Sequence, residues 1–351
     1  MDTVQLEKFL QIDKNKKQIK GNNGFSVRFL KSIKDSNTLV HLYNIDGENI
    51  ITKFSLNNCS KVEREIEVLR KLRKENIGMI DGILLPKEVL LRVKDSEEKI
   101  TVLLSLYSGE SLTNILKSDF QITPELLGKI LFSLGRILKK LHRSKEFDKM
   151  NSWTQTTFDQ VMFGEDPGPT WQQKKIKDTK DFIHKHFSNE IINEIEYCKP
   201  SWTHGDFFPH QILILQTKPD KISIIDWDAA NKGLGLSDLA QFWASFELAL
   251  LFSGRRSEID NLLKLFEKGY EYDLSNSLLF RLLELNALFR FSPLFKKGLG
   301  VIPRSKNWNV KSGKSKYLHY SYWYSIYLHE ELINERILQI NQLCHNQKVS
   351  S

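Results

Sequence analysis

The hydrophobic pattern divides the chain into a strand-rich beginning and a helical remainder. Phe25–Ile33, Thr38–Ile45 and Ile50–Leu56 are apolar runs of strand length. Lys34-Asp35-Ser36-Asn37 separates the first two, and Asp46-Gly47 between the second and third is a strong hairpin signal. Over residues 60–75, Val62, Ile66, Leu69 and Leu72 recur near helical spacing among charges, and Ser60 with Glu63 forms a capping-box pair. Two further strand-like runs follow, Val89–Val93 and Ile100–Tyr107. The first 107 residues thus spell three strands, a helix and two strands, a small antiparallel sheet carrying one helix. Residues 1–24 are polar and rich in Lys and Asn, and read as a loosely held leader with room for one short helix.

After Ser108-Gly109 the spacing becomes mainly helical. Pro124 opens a helix that runs to His142, residues 143–200 are mixed with a turn cluster at Gly164–Pro169, and short strands surround residues 202–227. From Ser237 the pattern reads as helices broken by one loop, Phe291–Lys316. No internal repeat is visible. The expected organisation is a leader at 1–24, a small lobe at 25–107 and a large lobe at 108–351.

Composition narrows the class. With 40% apolar and 27% charged residues the chain can bury a sizeable core, and Gly 18 with Pro 9 excludes collagen-like and low-complexity classes. The formal charge of +8 favours an anionic partner and argues against a strongly cationic substrate. Cys59, Cys198 and Cys344 are far apart and form no CxxC pair, so neither a zinc ribbon nor a disulfide framework is indicated. The charged N-terminal residues form no signal peptide, and the most apolar stretch, Leu236–Ser253, carries Asp238, Gln241 and Glu247. A cytoplasmic, soluble protein without a membrane span is expected.

The segment with the most chemistry is Trp202–Ala240. His204-Gly205-Asp206 is followed by Phe-Phe-Pro-His-Gln211 and an apolar run. Ile224-Ile225-Asp226-Trp227-Asp228 and then Ser237-Asp238-Leu239-Ala240 come next. The two apolar runs between Asp206 and Asp226 look like a hairpin, which would return Asp226 towards Asp206 and Gln211. Two carboxylates and an amide suit Mg²⁺, a hard cation that takes oxygen ligands and keeps several waters. One carboxylate remains to receive a proton.

HGDFFPHQILI followed by IIDWD resembles the catalytic and metal loops of the aminoglycoside phosphotransferase and choline kinase-like family, a branch of the protein-kinase-like fold. SDLA and the Leu141-His142 helix end resemble further family features, and the likeness covers about residues 25–250. It implies an α+β, two-lobed protein-kinase-like fold: a small antiparallel β lobe with one helix and a larger, mostly helical lobe, with nucleotide in the cleft. It also implies an enzyme that moves the γ-phosphoryl group of ATP or GTP to a hydroxyl of a small molecule. Asp206 would serve the acceptor hydroxyl, His204 would brace the loop, and Asp226 with Gln211 would hold Mg²⁺. Lys53 would position phosphates and Glu65 would hold Lys53, with Glu63 and Glu67 as alternatives to Glu65. Ser36 and Asn37 would lie over the phosphates, and the backbone of Leu104–Tyr107, with Ser105 and Tyr107, would meet the base.

Two departures stand out. The family has Asn where this chain has Gln211, whose extra methylene asks for a backbone adjustment or a bridging water at Mg²⁺. The Lys34–Asn37 turn also lacks glycine. Both motivate an alternative, a catalytically weak pseudokinase acting as a binding or regulatory module. A protein kinase is disfavoured, because no APE-like segment follows Asp226 and little room is left for an activation loop before Ser237-Asp238.

Other features read more simply. His184 and His186, two apart on a helix, do not face each other and read as solvated surface. Tyr317, Tyr320, Tyr324 and Tyr327 beside Trp323 read as a core face, the sharper alternative being a substrate wall. Seven basic residues and no acidic one between Phe291 and Lys316 read as a solvated loop, with an anionic-substrate or nucleic-acid patch as the sharper alternative; nucleic acid is not the expected partner. Glu165-Asp166 receives no role. The expected partners are a nucleotide and a small-molecule hydroxyl acceptor of sugar, amino alcohol or antibiotic type, the positive charge favouring the first two.

Overall fold

In the structure, a computed structural model that describes residues 18–20, 26–35, 38–45, 48–55, 60–74, 83–92, 99–106, 111–117, 122–142, 150–163, 170–214, 222–296 and 315–350, the alternating runs form the expected sheet. Its strands are β1 (Gln18–Lys20), β2 (Ser26–Asp35), β3 (Thr38–Ile45), β4 (Glu48–Ser55), β6 (Lys87–Arg92) and β7 (Lys99–Leu106), after a two-residue β5 (Ile83–Leu84). The order is β1-β2-β3-β4-β7-β6, antiparallel throughout. Register pairs Ile45 with Glu48, so two residues connect β3 to β4, as an Asp-Gly hairpin requires. Helix α1 (Ser60–Lys74) lies between β4 and β5, with Val62, Ile66, Leu69 and Leu72 buried.

Within the stretch read as a loosely held leader, Gln18–Lys20 is an edge strand paired with Ser26–Arg28. Three residues with a single apolar side chain, Ile19, carry no period to read; backbone pairing places them.

The remaining elements are α2 (Leu112–Lys117), α3 (Pro124–Leu141), α4 (Met150–Phe163), α5 (Thr170–Cys198), β8 (Pro200–Thr203), β9 (Ile212–Ile214), β10 (Ile222–Ile224), β11 (Asn231–Leu234), α6 (Gly235–Phe252), α7 (Ile259–Tyr270), α8 (Leu278–Lys296) and α9 (Ser315–Ser350). Helix α8 runs through Phe291–Lys296 and α9 opens at Ser315, so both ends of the stretch Phe291–Lys316 that the pattern assigned to a loop are helical. Pro293 lies inside α8, where a proline ordinarily acts as a breaker, and nothing local in the sequence announces the continuation. Lys297–Lys314 lie outside the described residues.

Two compact units result: Met1–Leu112 with His210–Ala230, and Thr113–Pro209 with Asn231–Ser351. In the first, β9 and β10 form the expected hairpin, Ile214 opposite Ile222 and Ile212 opposite Ile224, and β5 joins β10 in parallel. These strand residues of β9 and β10 are buried, which explains their uninterrupted apolar character.

In the second unit, α3 starts on Thr123, whose Oγ1 accepts from Leu126 N at 3.3 Å, with Pro124 at the first helical position. Its apolar stripe packs on α7 with almost no space between backbones. A Cβ on Gly269 would stand 2.2 Å from Phe132 O, and one on Gly135 2.6 Å from Phe266 O. Helix α6 is buried nearly all round, and its Phe242 and Trp243 pack on Phe266 of α7 at ring separations of 5.4 and 6.0 Å.

Four buried charges tie α6, α8 and α9. Arg336 on α9 is paired with Glu247 on α6 and, through Nε at 3.3 Å, with Glu284 on α8, which also takes Arg281 Nη1 at 2.6 Å. Burial pushes the Glu247 carboxyl up against the pull of Arg336. Burial alone would lower Arg336, but Glu247 and Glu284 hold its guanidinium above the ordinary value. Among the described residues no helix is long and apolar enough to cross a membrane.

The α3–α7 approach gives a stability test. Gly269→Ala forces a methyl group into the Phe132 carbonyl, and overpacking of this kind costs about 1–3 kcal/mol. Urea unfolding of the variant should show a lower midpoint with an unchanged slope; an unaltered midpoint would disprove the close approach.

Candidate active site

The loop after β8 is built around one glycine and one helix end. Gly205 has φ 79°, a left-handed conformation open to glycine at little cost, and it turns the chain so that Asp206 follows half-exposed while Phe207 is buried. Phe207 packs between the His204 ring at 5.3 Å and Phe242 of α6 at 5.8 Å, which anchors the loop from below.

The amides on either side of Asp206 are accepted by side chains from the first turns of α6. Asp238 takes His204 N through Oδ2 at 2.6 Å and Gly205 N through Oδ1 at 2.9 Å. Gln241, one turn on, accepts from Phe207 N through Oε1 at 3.2 Å and turns its Nε2 towards Asp206 Oδ1 at 3.5 Å. Asp238 is itself 1% exposed, and a carboxylate in the first turn of a helix is favoured by the unpaired amides there. His142, at the end of α3, sits with Nε2 3.4 Å from Asp238 Oδ2 and Nδ1 3.0 Å from the Tyr270 hydroxyl at the end of α7. Gly235 leaves room for that ring, since a Cβ there would come within 2.6 Å of it. The close packing of α3 on α7 thus orients the histidine beside Asp238.

The first unit carries the other candidates. Glu65 is 2% exposed and its Oε1 accepts from Trp227 N at 3.1 Å, the residue directly after Asp226. Glu63 and Glu67, the alternatives, are exposed. Gln211 is 1% exposed and ends the 3₁₀ turn Pro209–Gln211; its carbonyl accepts from Ile225 N at 3.1 Å, so the hairpin sets Gln211 beside the residue preceding Asp226. Asp226 has φ 74° and ψ 52°, a left-handed conformation that Asp tolerates better than most residues, and it is half-exposed. Trp227 behind it is fully buried, with Nε1 donating to Ile224 O at 2.9 Å.

Lys53 lies on β4 opposite Val40 and Leu103, and Ser105 on β7 opposite Ile51; their side chains fall outside the described residues. Ser36, Asn37 and Tyr107 lie wholly outside them, as do Cys59 and Glu165-Asp166, and so do the side chains of Tyr317, Tyr320, Trp323, Tyr324 and Tyr327. His184 and His186 are exposed, in keeping with a solvated surface. Among the described residues no cluster of three or more His, Cys, Asp or Glu forms a protein-only metal cage. A carboxylate with an amide is nonetheless a donor set of the kind Mg²⁺ uses when phosphates and water complete its shell.

A cavity of about 480 Å³ opens within the second unit. Helix α4 contributes Thr156 and Gln160, β8 and its loop Thr203 and Gly205, and β11 Asn231 and Lys232. Gln241 of α6 lines it as well, so the side chain that contacts Asp206 is also part of this wall. Lys232 Nζ stands 4.7 Å over the Trp202 ring.

The residues missed by sequence reasoning are Gln241, the supports Asp238, His142 and Tyr270, and the cavity wall on α4, β11 and α8. SDLA and the LH pair flagged Asp238 and His142 without a role. Gln241 had a readable signal in its helical spacing from Asp238; the wall had none.

Loop and cavity, on this fold, define a protein-kinase-like phosphotransferase. A family model described as the phosphotransferase enzyme family matches residues 40–274, more than half of the chain. The chain belongs to that family and is by class a small-molecule kinase that acts on an alcohol group. Among solved structures, aminoglycoside phosphotransferase APH(4)-Ia aligns with TM-score 0.50 at 12% identity, covering 96% of this chain and 99% of that one. A spectinomycin phosphotransferase solved with ADP and spectinomycin aligns with TM-score 0.45 at 14% identity over 97% and 98%. A microcompartment-associated aminopropanol kinase aligns with TM-score 0.45 at 13% identity over 98% and 95%. No curated protein sequence matches the chain.

The bracing of the loop by α6 has a measurable cost of removal. Asp238→Ala leaves two backbone N–H groups without their acceptor, at about 1–3 kcal/mol for each that stays buried. The expected result is a lower urea midpoint together with a loss of turnover, and a smaller loss of both for Asp238→Asn, which keeps one accepting oxygen. Equal behaviour of Asp238→Ala and wild type would show that the loop holds itself.

Proposed function

We propose that the chain transfers the γ-phosphoryl group of ATP or GTP to a hydroxyl of a small molecule, a sugar, amino alcohol or antibiotic. The observation that carries this reading is the fixation of Asp206: the amides flanking it are accepted by α6, and Gln241 links it to a polar cavity of small-molecule size. A half-exposed carboxylate on a loop held this way suits a base whose position matters more than its strength.

In the proposed reaction the acceptor hydroxyl lies in the cavity and gives its proton to the Asp206 carboxylate. The acceptor oxygen forms a bond to the γ-phosphorus as the bond from that phosphorus to the β–γ bridging oxygen breaks, and nucleoside diphosphate leaves. Lys53 positions phosphate oxygens, and Glu65 orients Lys53 as well as the Trp227 amide. Ser36 and Asn37 lie over the phosphates, and the backbone at Ser105 and Tyr107 meets the base. Asp226 and Gln211 would hold Mg²⁺, which when bound offsets negative charge on the phosphates. Burial of Glu65 and exposure of Glu63 and Glu67 favour Glu65 for its role, since only a side chain directed inward can support a strand residue.

Thermal unfolding with and without Mg²⁺ plus ATP, and with GTP in parallel, tests nucleotide binding. At about 100 times its Kd a nucleotide adds about 2.7 kcal/mol of stability. The expected result is a metal-dependent shift in wild type that vanishes in Asp226→Asn. With an acceptor found, Asp206→Ala should reduce kcat about 10²–10⁴-fold. A folded protein that shifts with neither nucleotide, or turnover untouched by Asp206→Ala, would overturn the reading in favour of a binding module.

A further inference from the structure

One glutamine serves both the base and the cavity. Gln241 stands on α6 one turn after Asp238 and is half-buried. Its Oε1 accepts from Phe207 N at 3.2 Å. A backbone N–H can only donate, so the carbonyl end of the carboxamide is the end turned to Phe207. That settles the orientation of the whole group and puts Nε2 on the side of Asp206, 3.5 Å from Oδ1. Contacts among catalytic groups tighten when substrate binds, and this separation is within reach of a full hydrogen bond.

A carboxamide nitrogen carries two N–H bonds. One faces the Asp206 carboxylate, which as an anion only accepts. The other has no partner among the described residues, and Gln241 lines the cavity of about 480 Å³ in the second unit. An N–H that gives up water to a ligand and gains no acceptor in return costs affinity. A ligand that fills this cavity well therefore brings an acceptor to Gln241.

The place and kind of that acceptor are both constrained. The two N–H bonds of one nitrogen diverge widely, so the ligand atom that takes the second is separate from the hydroxyl that donates to Asp206. Both bonds nonetheless leave the same nitrogen, so the two ligand atoms are close neighbours, as oxygens on adjacent carbons are. A hydroxyl or ether oxygen can accept from Nε2. An ammonium group carries three donors and no acceptor, so an amino alcohol with its charged nitrogen beside the hydroxyl would set N–H against N–H here. The nearby wall suits further hydroxyl groups, since Thr156, Gln160, Thr203 and Asn231 present hydroxyls and carboxamides that both donate and accept.

We infer that Gln241 is a specificity-determining residue and that the acceptor is a vicinal diol of sugar, cyclitol or nucleoside type, in which the reacting hydroxyl has an oxygen on the adjacent carbon to accept from Gln241 Nε2. This rests on the phosphotransferase reading above and narrows its acceptor.

The test uses the full chain with Mg²⁺ and ATP or GTP, and acceptors in matched sets. Each set holds a vicinal diol, its deoxy analogue without the neighbouring hydroxyl, and the analogue with an amine in that place, as in glucose, 2-deoxyglucose and glucosamine. Hexoses, inositols and ribonucleosides head the sets, and ethanolamine and aminopropanol represent simple amino alcohols. Nucleoside diphosphate release is read, product NMR locates the phosphate, and nucleotide-induced thermal shift is measured in parallel. From a diol to its deoxy analogue kcat/KM should fall about tenfold, and further to the amine. Gln241→Met removes the donor, so diol and deoxy analogue should become nearly equal substrates. A side chain that only braced the Asp206 loop would lower both by the same factor and leave their ratio in place. Gln241→Glu keeps an oxygen for Phe207 N and replaces the N–H donors with a second acceptor, so the amine analogue should gain on the diol. An unchanged diol-to-deoxy ratio in Gln241→Met, an unchanged amine-to-diol ratio in Gln241→Glu, preferred turnover of amino alcohols or amine analogues by wild type, or no turnover of any set by a protein that nucleotide stabilises would each overturn the inference. Absence of any nucleotide shift would instead remove the phosphotransferase reading on which it stands.

Discussion

One carboxylate, Asp238, organises the second unit's share of the site. Its two oxygens accept the amides of His204 and Gly205, so the peptide units leading into Asp206 are fixed relative to α6 rather than left to loop conformation. Gln241 repeats the arrangement on the far side of Asp206 through Phe207 N. A loop held at both ends by side chains of one buried helix has little freedom to move without moving the helix. The helix is immobilised in turn by an aromatic core and by the buried ionic cluster of Glu247, Arg336, Glu284 and Arg281. Packing far from the chemistry therefore becomes positional accuracy at one carboxylate.

The first unit solves a similar problem with a hairpin. Pairing of β9 with β10 places Gln211 beside Ile225, and the buried Glu65 takes the amide that follows Asp226. Asp226 adopts a left-handed backbone, a conformation that needs its surroundings to hold it. Trp227, fully buried and bonded through its indole N–H to Ile224, supplies that restraint. The aromatic in Ile-Ile-Asp-Trp-Asp is thus a fastener for the acid before it.

What could be read from the sequence follows from what each feature depends on. The strands of the sheet, α1 and the β9–β10 hairpin rest on local periodicity and turn chemistry, and appeared close to their expected limits. His204-Gly205-Asp206 and Ile225-Asp226-Trp227 were legible as motifs because residue type and short spacing alone carry them. Gln18–Lys20 was not, since a three-residue edge strand owes its form to its partner. The helical residues Phe291–Lys296 were not legible either, since Pro293 lies among them and a proline is a local signal against helix. Roles such as those of His142 and Tyr270 depend on α3 and α7 meeting at Gly135 and Gly269, which no window of sequence reveals. The cavity wall is the extreme case, because its residues come from five segments and none forms a motif.

The second unit deals with charge in two opposite ways. Where α6, α8 and α9 meet, two arginines and two glutamates are buried together, each sign beside the other, because an isolated buried charge would cost several kcal/mol. Among the described residues the wall of the cavity instead presents mostly neutral dipoles, Lys232 being its one charged residue, with an ammonium that lies over the Trp202 indole. Neutral hydroxyls and amides exchange water for ligand hydroxyls with little net penalty, since every bond given up is replaced by one of the same kind. The loop that Asp238 and Gln241 hold fixes the position of the Asp206 carboxylate, and Gln241 carries that fixation into the cavity wall.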